Sequence, residues 1–407
     1  MFNKAILAPR AFEAMPIDTR YIWLAGQMWR DGLNPYDHDA LSTFGIAQMP
    51  GTPTIFVWSY SPHFWPVARF LAEFDHGTAP VVWGLISMIA GLAGMWVCAK
   101  LMLSVKGAWG GALAPAAAFC FATSHSASSC LYMGQFAMPL ALGAGLFALA
   151  LVSGARWMMI AALVLLTLKA NFALPFLAVA VVLPEWRRCL MAAGALAFAL
   201  AAPALIASGP IETIEGFLDG ASRYGEHATN NPRDMTGAIH LAARLGVENP
   251  QMQLLSLPFV AMALAAICAW SIRQADQGGA DRTASGQALG AATIAIALGV
   301  TPLHAYDLVA WPLVLVIAAS AMTTWRSIGE RRQFQGAGSI LIASGLLISG
   351  FVLIRPNIVA DVLFGDGATV RGANLLASLA LAAMLTAALA QLVRLHGRQG
   401  NRSAAAA

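Results

Sequence analysis

From about residue 80 onward the chain is a succession of apolar runs, several near the roughly 20 residues a helix needs to cross a bilayer. That succession decides the fold class. In hydrocarbon every backbone N–H and C=O must be satisfied within the protein, so such runs become helices packed on one another. The candidate spans are 80–103, 110–124, 136–153, 157–168, 172–184, 189–208, 253–272, 287–301, 305–323, 337–354 and 372–393. With 58% hydrophobic and 11% charged residues in 407, a water-soluble globule of this size is excluded. The expectation is an all-α, polytopic membrane protein with about ten or eleven membrane helices. The runs on either side of Lys169-Ala170-Asn171 are too brief for free-standing crossings and are expected to be tilted or broken under protein cover.

Basic residues in short connections set the orientation. Letting each span reverse the side, one set of connections holds Lys100, Lys106, Arg156, Arg187, Arg188, Arg273, Arg282, Arg326–Arg332, Arg394, Arg398 and Arg402. This set is nearly free of acid and reads as cytoplasmic. The opposite set holds residues 1–78, the corner 124–135, Leu168–Asn171, the segment 209–252, Thr301–Asp307 and 355–371. Every polar cluster able to do chemistry therefore falls on one face, expected to be the outer one. The organisation reads as two parts: 1–78, an outer-face loop with interfacial helices, and 79–407, a multi-span domain that carries 209–252 as an amphipathic, lid-like loop.

Within 1–78, Asp18 leads a run of Arg20, Tyr21, Trp23, Gln27 and Trp29 at helical spacing, followed by the turn Asn34-Pro35-Tyr36. Asp18 reads either as an N-cap or as a catalytic carboxylate. Met49–Pro66, rich in proline and aromatic residues, reads as an interfacial loop with an aromatic belt. Gln135 opens an apolar helix, as a cap, an interhelical hydrogen bond or a ligand contact. Lys169 lies between apolar runs, where an unpaired lysine costs roughly 2.5 to 3.5 kcal/mol; it either snorkels or meets an anion. Thr301–Asp307 sets His304, Tyr306 and Asp307 between two spans, Asp307 being a helix cap or a site residue.

Cys98, Cys120, Cys130, Cys189 and Cys268 read as small buried hydrophobes, without metal-type pairing. The chain has no Walker motif, no Gly-x-Gly-x-x-Gly after a strand and no internal repeat, and nothing in it points to nucleic acid. Residues 1–17 carry no apolar core suited to a signal peptide, and the tail 401–407 reads as disordered.

The motifs together resemble glycosyltransferase family 87, within the GT-C superfamily of polyprenyl-phosphate-sugar-dependent membrane enzymes. The resemblance rests on Asp18 leading into Gly32-Leu33-Asn34-Pro35-Tyr36, on Tyr60-Ser61-Pro62, and on Gly134-Gln135, Leu168–Asn171, Thr301-Pro302 and Tyr306-Asp307. It implies a GT-C-type helical bundle and Asp18 as catalytic base. It also implies Lys169, His304 and Arg20 against the donor phosphate, with Tyr36, Tyr60, Gln135, Asn171, Tyr306 and Asp307 binding substrate. The implied reaction moves a hexose, mannose foremost, from a polyprenyl-phosphate donor to a lipid or glycan acceptor, inverting the anomeric centre. The setting would be the periplasmic face of a bacterial inner membrane, with no metal or cofactor. The superfamily carries a span before its acidic loop; residues 1–17 cannot supply one, so a first span is expected upstream of Met1. Two other readings stand beside this one: a transporter or flippase for a lipid-linked or anionic substrate, and a non-catalytic assembly subunit. The first calls for polar groups at mid-bilayer and two related halves, and neither is visible.

Overall fold

The structure is a computed structural model; it describes residues 17–49, 57–103, 119–226, 230–247, 249–277, 282–318, 348–364 and 370–406. The sequence expectations for 1–16, for most of the candidate spans 110–124 and 337–354, and for Lys106 and Arg326–Arg332 lie outside these residues. Among the described residues all regular structure is helical, and the only strand-like pairing is an isolated antiparallel bridge between Thr236 and Leu303.

In chain order the helices are α1 (Ile17–Arg30), α2 (His38–Gln48), α3 (Trp65–Leu71), α4 (Ala79–Leu103), α5 (His125–Met133), α6 (Ala137–Ser153), α7 (Arg156–Leu166), α8 (Ala170–Val182), α9 (Arg187–Ser208), α10 (Pro210–Glu226), α11 (Ala238–Arg244), α12 (Pro250–Gln277), α13 (Arg282–Val300), α14 (Pro356–Phe364) and α15 (Val370–Ala406). Short 3₁₀ turns cover Pro62–Phe64, Pro184–Trp186, Pro232–Asp234 and Ala305–Ala310, the last running on into the apolar helix Ala305–Ala318.

Five helices are long and apolar enough to cross a membrane, over Ala79–Val97, Pro184–Ser208, Met252–Gln274, Arg282–Val300 and Arg371–Leu392. Four apolar helices are shorter: Ala137–Ser153, Arg156–Leu166, Ala170–Val182 and Ala305–Ala318. Of the ten or eleven membrane helices expected, five are full-length among the described residues and four are shorter. The 11 residues of α7 and 13 of α8 rise only about 16 and 20 Å, well short of a hydrocarbon core of about 30 Å. Lys169 stands in the turn between them.

Helix α13 is the centre of the bundle: every residue from Ala284 to Val300 is buried, polar Ser285, Gln287 and Thr293 included. It packs on α6, α12 and α15. Close approach to α6 depends on Gly286, where a Cβ would stand 2.8 Å from the Leu151 carbonyl oxygen. Helices α9 and α12 turn large apolar side chains outward, among them Met191, Phe198 and Ile206, and Leu255, Phe259 and Ile267. Apolar surface on this scale requires a lipid solvent.

The ends of the bundle differ in chemistry. Arg156 lies by Cys189 near the start of α9, and Arg282 approaches Gly154. At the other end of α7, Lys169, Asp307, Gln135 and Asp18 gather with the aromatic residues of 58–65. Trp58 departs from the expected interfacial belt: it is 0% exposed, and Trp29 beside it is 5% exposed. They pack edge to face at 5.7 Å between ring centres, forming core between α1 and residues 57–64.

Candidate active site

The site is built from five segments that are remote in sequence. Helix α1 brings Asp18 in its first turn and is anchored by fully buried Ile22, Leu24, Ala25 and Met28. It crosses α3 so closely that a Cβ on Gly26 would lie 2.0 Å from the Ala68 carbonyl oxygen. The Trp23 and Gln27 side chains donate to the Phe74 and Ala72 carbonyls. Asp18 is therefore held in a packed helix, and its carboxylate turns to side chains: Tyr60 Oη donates to Oδ1 at 3.5 Å, and the Gln135 side chain hydrogen-bonds it.

Gln135 reaches that position through a left-handed turn. Helix α5 ends at Gly134, with φ +75°, directly against α1: a Cβ there would sit 2.0 Å from Thr19 Oγ1. Only glycine meets both demands. The Trp83 indole braces the turn by donating to the Gly134 carbonyl at 2.7 Å, and the Gln135 N–H donates to the Cys130 carbonyl.

Lys169 neither snorkels nor stands alone. Its ammonium donates to Asp307 Oδ2 at 2.6 Å, with 20% of the lysine side chain and 3% of the aspartate side chain exposed. The same carboxylate oxygen accepts the His304 backbone N–H at 3.0 Å, so Asp307 is at once the cap of its 3₁₀ helix and the lysine's counter-ion. Asn171 secures the junction: its amide donates to the Pro302 carbonyl while its oxygen accepts the Phe172 N–H.

Charge and burial act together on Asp18. Loss of solvent is the largest influence and raises its pKa; the Gln135 hydrogen bond, the Lys169 charge and the Tyr60 hydroxyl oppose it, and the Asp307 charge adds to it. The result is a carboxyl lifted from 3.8 to about 7. Arg20 and Tyr21 flank it electrostatically, and burial pulls the Arg20 pKa down and the Tyr21 pKa up.

Asp18, Tyr60, Gln135, Lys169 and Asp307 thus form one constellation, with Arg20 at its edge. The remaining expected residues surround it in other capacities. Tyr36, expected against substrate, is 2% exposed and donates to the Tyr60 carbonyl at 2.8 Å, so it has no open ring face and acts on the site by fixing Tyr60. His304, expected against phosphate, shares a hydrogen bond between Nε2 and Asn230 Oδ1 at 3.0 Å and stacks on Tyr306. Burial first, and the Lys169 charge with it, bring its pKa to about 4 against the pull of Asp307, leaving it neutral at pH 7 and without charge for a phosphate. Parts of the segment 209–252 lie against this end: Gly216 and Gly220 of α10 approach Tyr36 and Trp58, and Thr236 pairs with Leu303. The parts played by Asn230, Trp83 and Thr19 carry no sequence signal, because each arises from a contact between segments far apart in the chain.

Residues 58–302 match the family model of glycosyltransferase family 87, well over half of the chain. The chain belongs to that family. The match covers Tyr60, Gln135, Lys169 and Asn171; Asp18 precedes it, and His304 and Asp307 follow it. This family 87 protein is a membrane glycosyltransferase, its helical bundle holding the constellation at one end. No curated protein and no solved structure matches it.

Proposed function

We propose that this family 87 enzyme transfers a sugar, a hexose such as mannose, from a polyprenyl-phosphate donor to a lipid or glycan acceptor on the outer face of the membrane. The observation that carries the reading is the juxtaposition of a half-buried carboxylate with a pKa of about 7, Asp18, and the cation Lys169. Glycosyl transfer from a lipid phosphate needs a base for the incoming hydroxyl and fixed positive charge for the departing phosphate.

In this reaction the acceptor hydroxyl oxygen attacks the anomeric carbon as the bond from that carbon to the phosphate oxygen breaks. The hydroxyl proton passes to Asp18, and the electron pair leaves with the polyprenyl phosphate. A single displacement inverts the anomeric centre and needs one base, not the paired carboxylates of glycosidases. A pKa of about 7 suits such a base, since proton affinity is greatest while an appreciable fraction stays ionised. Gln135 and Tyr60 orient the carboxylate. An ammonium carries three donors, of which Asp307 takes one, so Lys169 keeps capacity for a phosphate oxygen. Arg20 at the edge adds a second cation. In this reading the donor's lipid chain stays in the bilayer while its phosphate meets Lys169.

The test is transfer from a radiolabelled polyprenyl-phosphate hexose in membranes that carry the protein. Lys169→Ala is expected to raise the donor KM and to lower kcat at least tenfold. A Lys169→Ala enzyme with wild-type donor kinetics would remove the assignment of that lysine.

A further inference from the structure

Helix α10 follows α9 across Gly209, whose φ of +80° turns the chain where a Cβ would stand 2.1 Å from Glu212 Oε2. It carries three stripes, each at the i, i+3, i+7 spacing of one helix face and each offset from the last by one residue, about 100° of turn. Thr213, Gly216 and Gly220 face protein. Thr213 is buried, and a Cβ on Gly216 would lie 2.5 Å from the Tyr36 carbonyl oxygen, one on Gly220 2.8 Å from that of Trp58. His38 Nε2 donates to the Gly216 carbonyl at 3.1 Å, and Phe217, next to this stripe, meets the Tyr36 ring edge to face. Glu212, Glu215 and Asp219 form the second stripe and are exposed. Ile211, Ile214 and Leu218 form the third, and they are 66%, 56% and 61% exposed.

What covers the apolar stripe follows from its neighbours. Helix α9 is one of the five long and apolar enough to cross a membrane, and Ile206 in its last turn is 84% exposed. A lipid-facing surface therefore runs up to the Gly209 corner and continues onto Ile211. Helix α10 packs on α9 and also on α12, a second such span, whose first two turns turn Met252 and Leu255 outward. The stripe is thus bracketed by two helices whose outer faces require acyl chains. Helix α10 cannot itself cross, because carboxylates recur along one side of its 17 residues and stay in water. With apolar side chains on one face and carboxylates on the next, the boundary between hydrocarbon and water runs along the helix axis. That is the arrangement of a helix lying flat in a membrane surface.

We propose that α10 is such a helix, with Ile211, Ile214 and Leu218 immersed in the acyl chains of the leaflet at the constellation's end. Glu212, Glu215 and Asp219 face headgroups and water, and the glycine stripe seats on Tyr36 and Trp58. The leaflet then holds one side of a helix whose other side backs Tyr36, the residue that fixes Tyr60. In this arrangement α10 is a wall held by the bilayer, not a lid that swings through water. The proposal stands whatever reaction the site performs, and its test reads no turnover.

The test places a nitroxide at single cysteines in a cysteine-free chain reconstituted in phosphatidylcholine vesicles. Collisions are compared with oxygen, which concentrates among acyl chains, and with a nickel chelate confined to water. Ile206→Cys, on the span, supplies the acyl-chain value. Labels at Ile211→Cys, Ile214→Cys and Leu218→Cys are expected to approach it, with oxygen-to-nickel ratios on the order of tenfold above those at Glu212→Cys and Glu215→Cys and depths of roughly 5–10 Å. All six positions are exposed, so the substitutions leave packing intact, and matching melting curves establish this. A second measurement needs no substitution: in vesicles containing a phosphatidylcholine with a diazirine on its acyl chain, the unaltered protein is expected to take label at Ile211, Ile214 and Leu218 as it does at Phe198 of α9. Access to the nickel chelate equal to that at Glu215→Cys would leave the stripe in water, and access to neither reagent would put protein over it, a second copy or a partner. Either result, or label on Phe198 with none on α10, overturns the proposal.

Discussion

At the scale of single residues, the constellation is an arrangement of three charges: Asp307 holds Lys169 at 2.6 Å, and both act on the proton affinity of Asp18. Replacing Asp307 with asparagine keeps an oxygen that can cap the His304 N–H but removes the negative charge that supports protonation of Asp18. The groups acting on Asp18 are then Lys169, Arg20, Tyr21, Tyr60, Gln135 and Cys130. The Asp18 pKa falls, and the acid limb of the kcat/KM profile is expected to move to lower pH in Asp307→Asn, as pH–rate measurements on membranes would show. Stability carries the opposite sign. A carboxyl raised from 3.8 to about 7 holds its proton in the folded chain through a range where the unfolded chain has released it. Stability contributed at this position therefore declines as pH rises from about 4 to about 7, and the full penalty stands above that. Asp18→Asn avoids the penalty. It is expected to melt higher than wild type at pH 8, with the gain shrinking toward pH 4, while losing activity.

At the scale of elements, two glycines decide whether the carboxylate arrives in place. Gly26 lets α1 cross α3, and Gly134 lets α5 end against Thr19 with Gln135 facing Asp18. A methyl group at either position forces backbone apart, at a cost of about 1–3 kcal/mol. Gly26→Ala and Gly134→Ala are each expected to lower the melting temperature by several degrees and to reduce turnover more than donor binding. The helices themselves were legible from the sequence, since long apolar runs have few alternatives in lipid. So were the short lengths of α7 and α8. The partners of Lys169 were legible only as candidates: Asp307 was visible as a cap or a site residue, and its carboxylate both takes part in the capping box of its 3₁₀ helix and pairs with Lys169. The surroundings of Tyr36 and His304 were not legible, because exposure and protonation depend on what packs over a side chain, and Trp58, Tyr60 and Asn230 are supplied by distant segments.

For the whole molecule, the arginines Arg156, Arg187 and Arg282 and the reactive constellation occupy opposite ends of the bundle. Basic connections stay cytoplasmic, so we propose that the end holding the constellation faces outward. In a cysteine-free background, Asn231→Cys is expected to react with a membrane-impermeant maleimide on intact cells, and Arg188→Cys only after permeabilisation; both positions are exposed. The reverse pattern would turn the enzyme round and place its donor on the cytoplasmic leaflet. The central claim, that Asp18 takes the acceptor proton, is tested most directly by the turnover of Asp18→Asn with a polyprenyl-phosphate hexose across pH 5 to 9. The account predicts a wild-type acid limb near pH 7 and a variant slowed by about 10²–10⁴-fold at every pH with donor binding retained. A variant within tenfold of wild type, following the same pH profile, would contradict it.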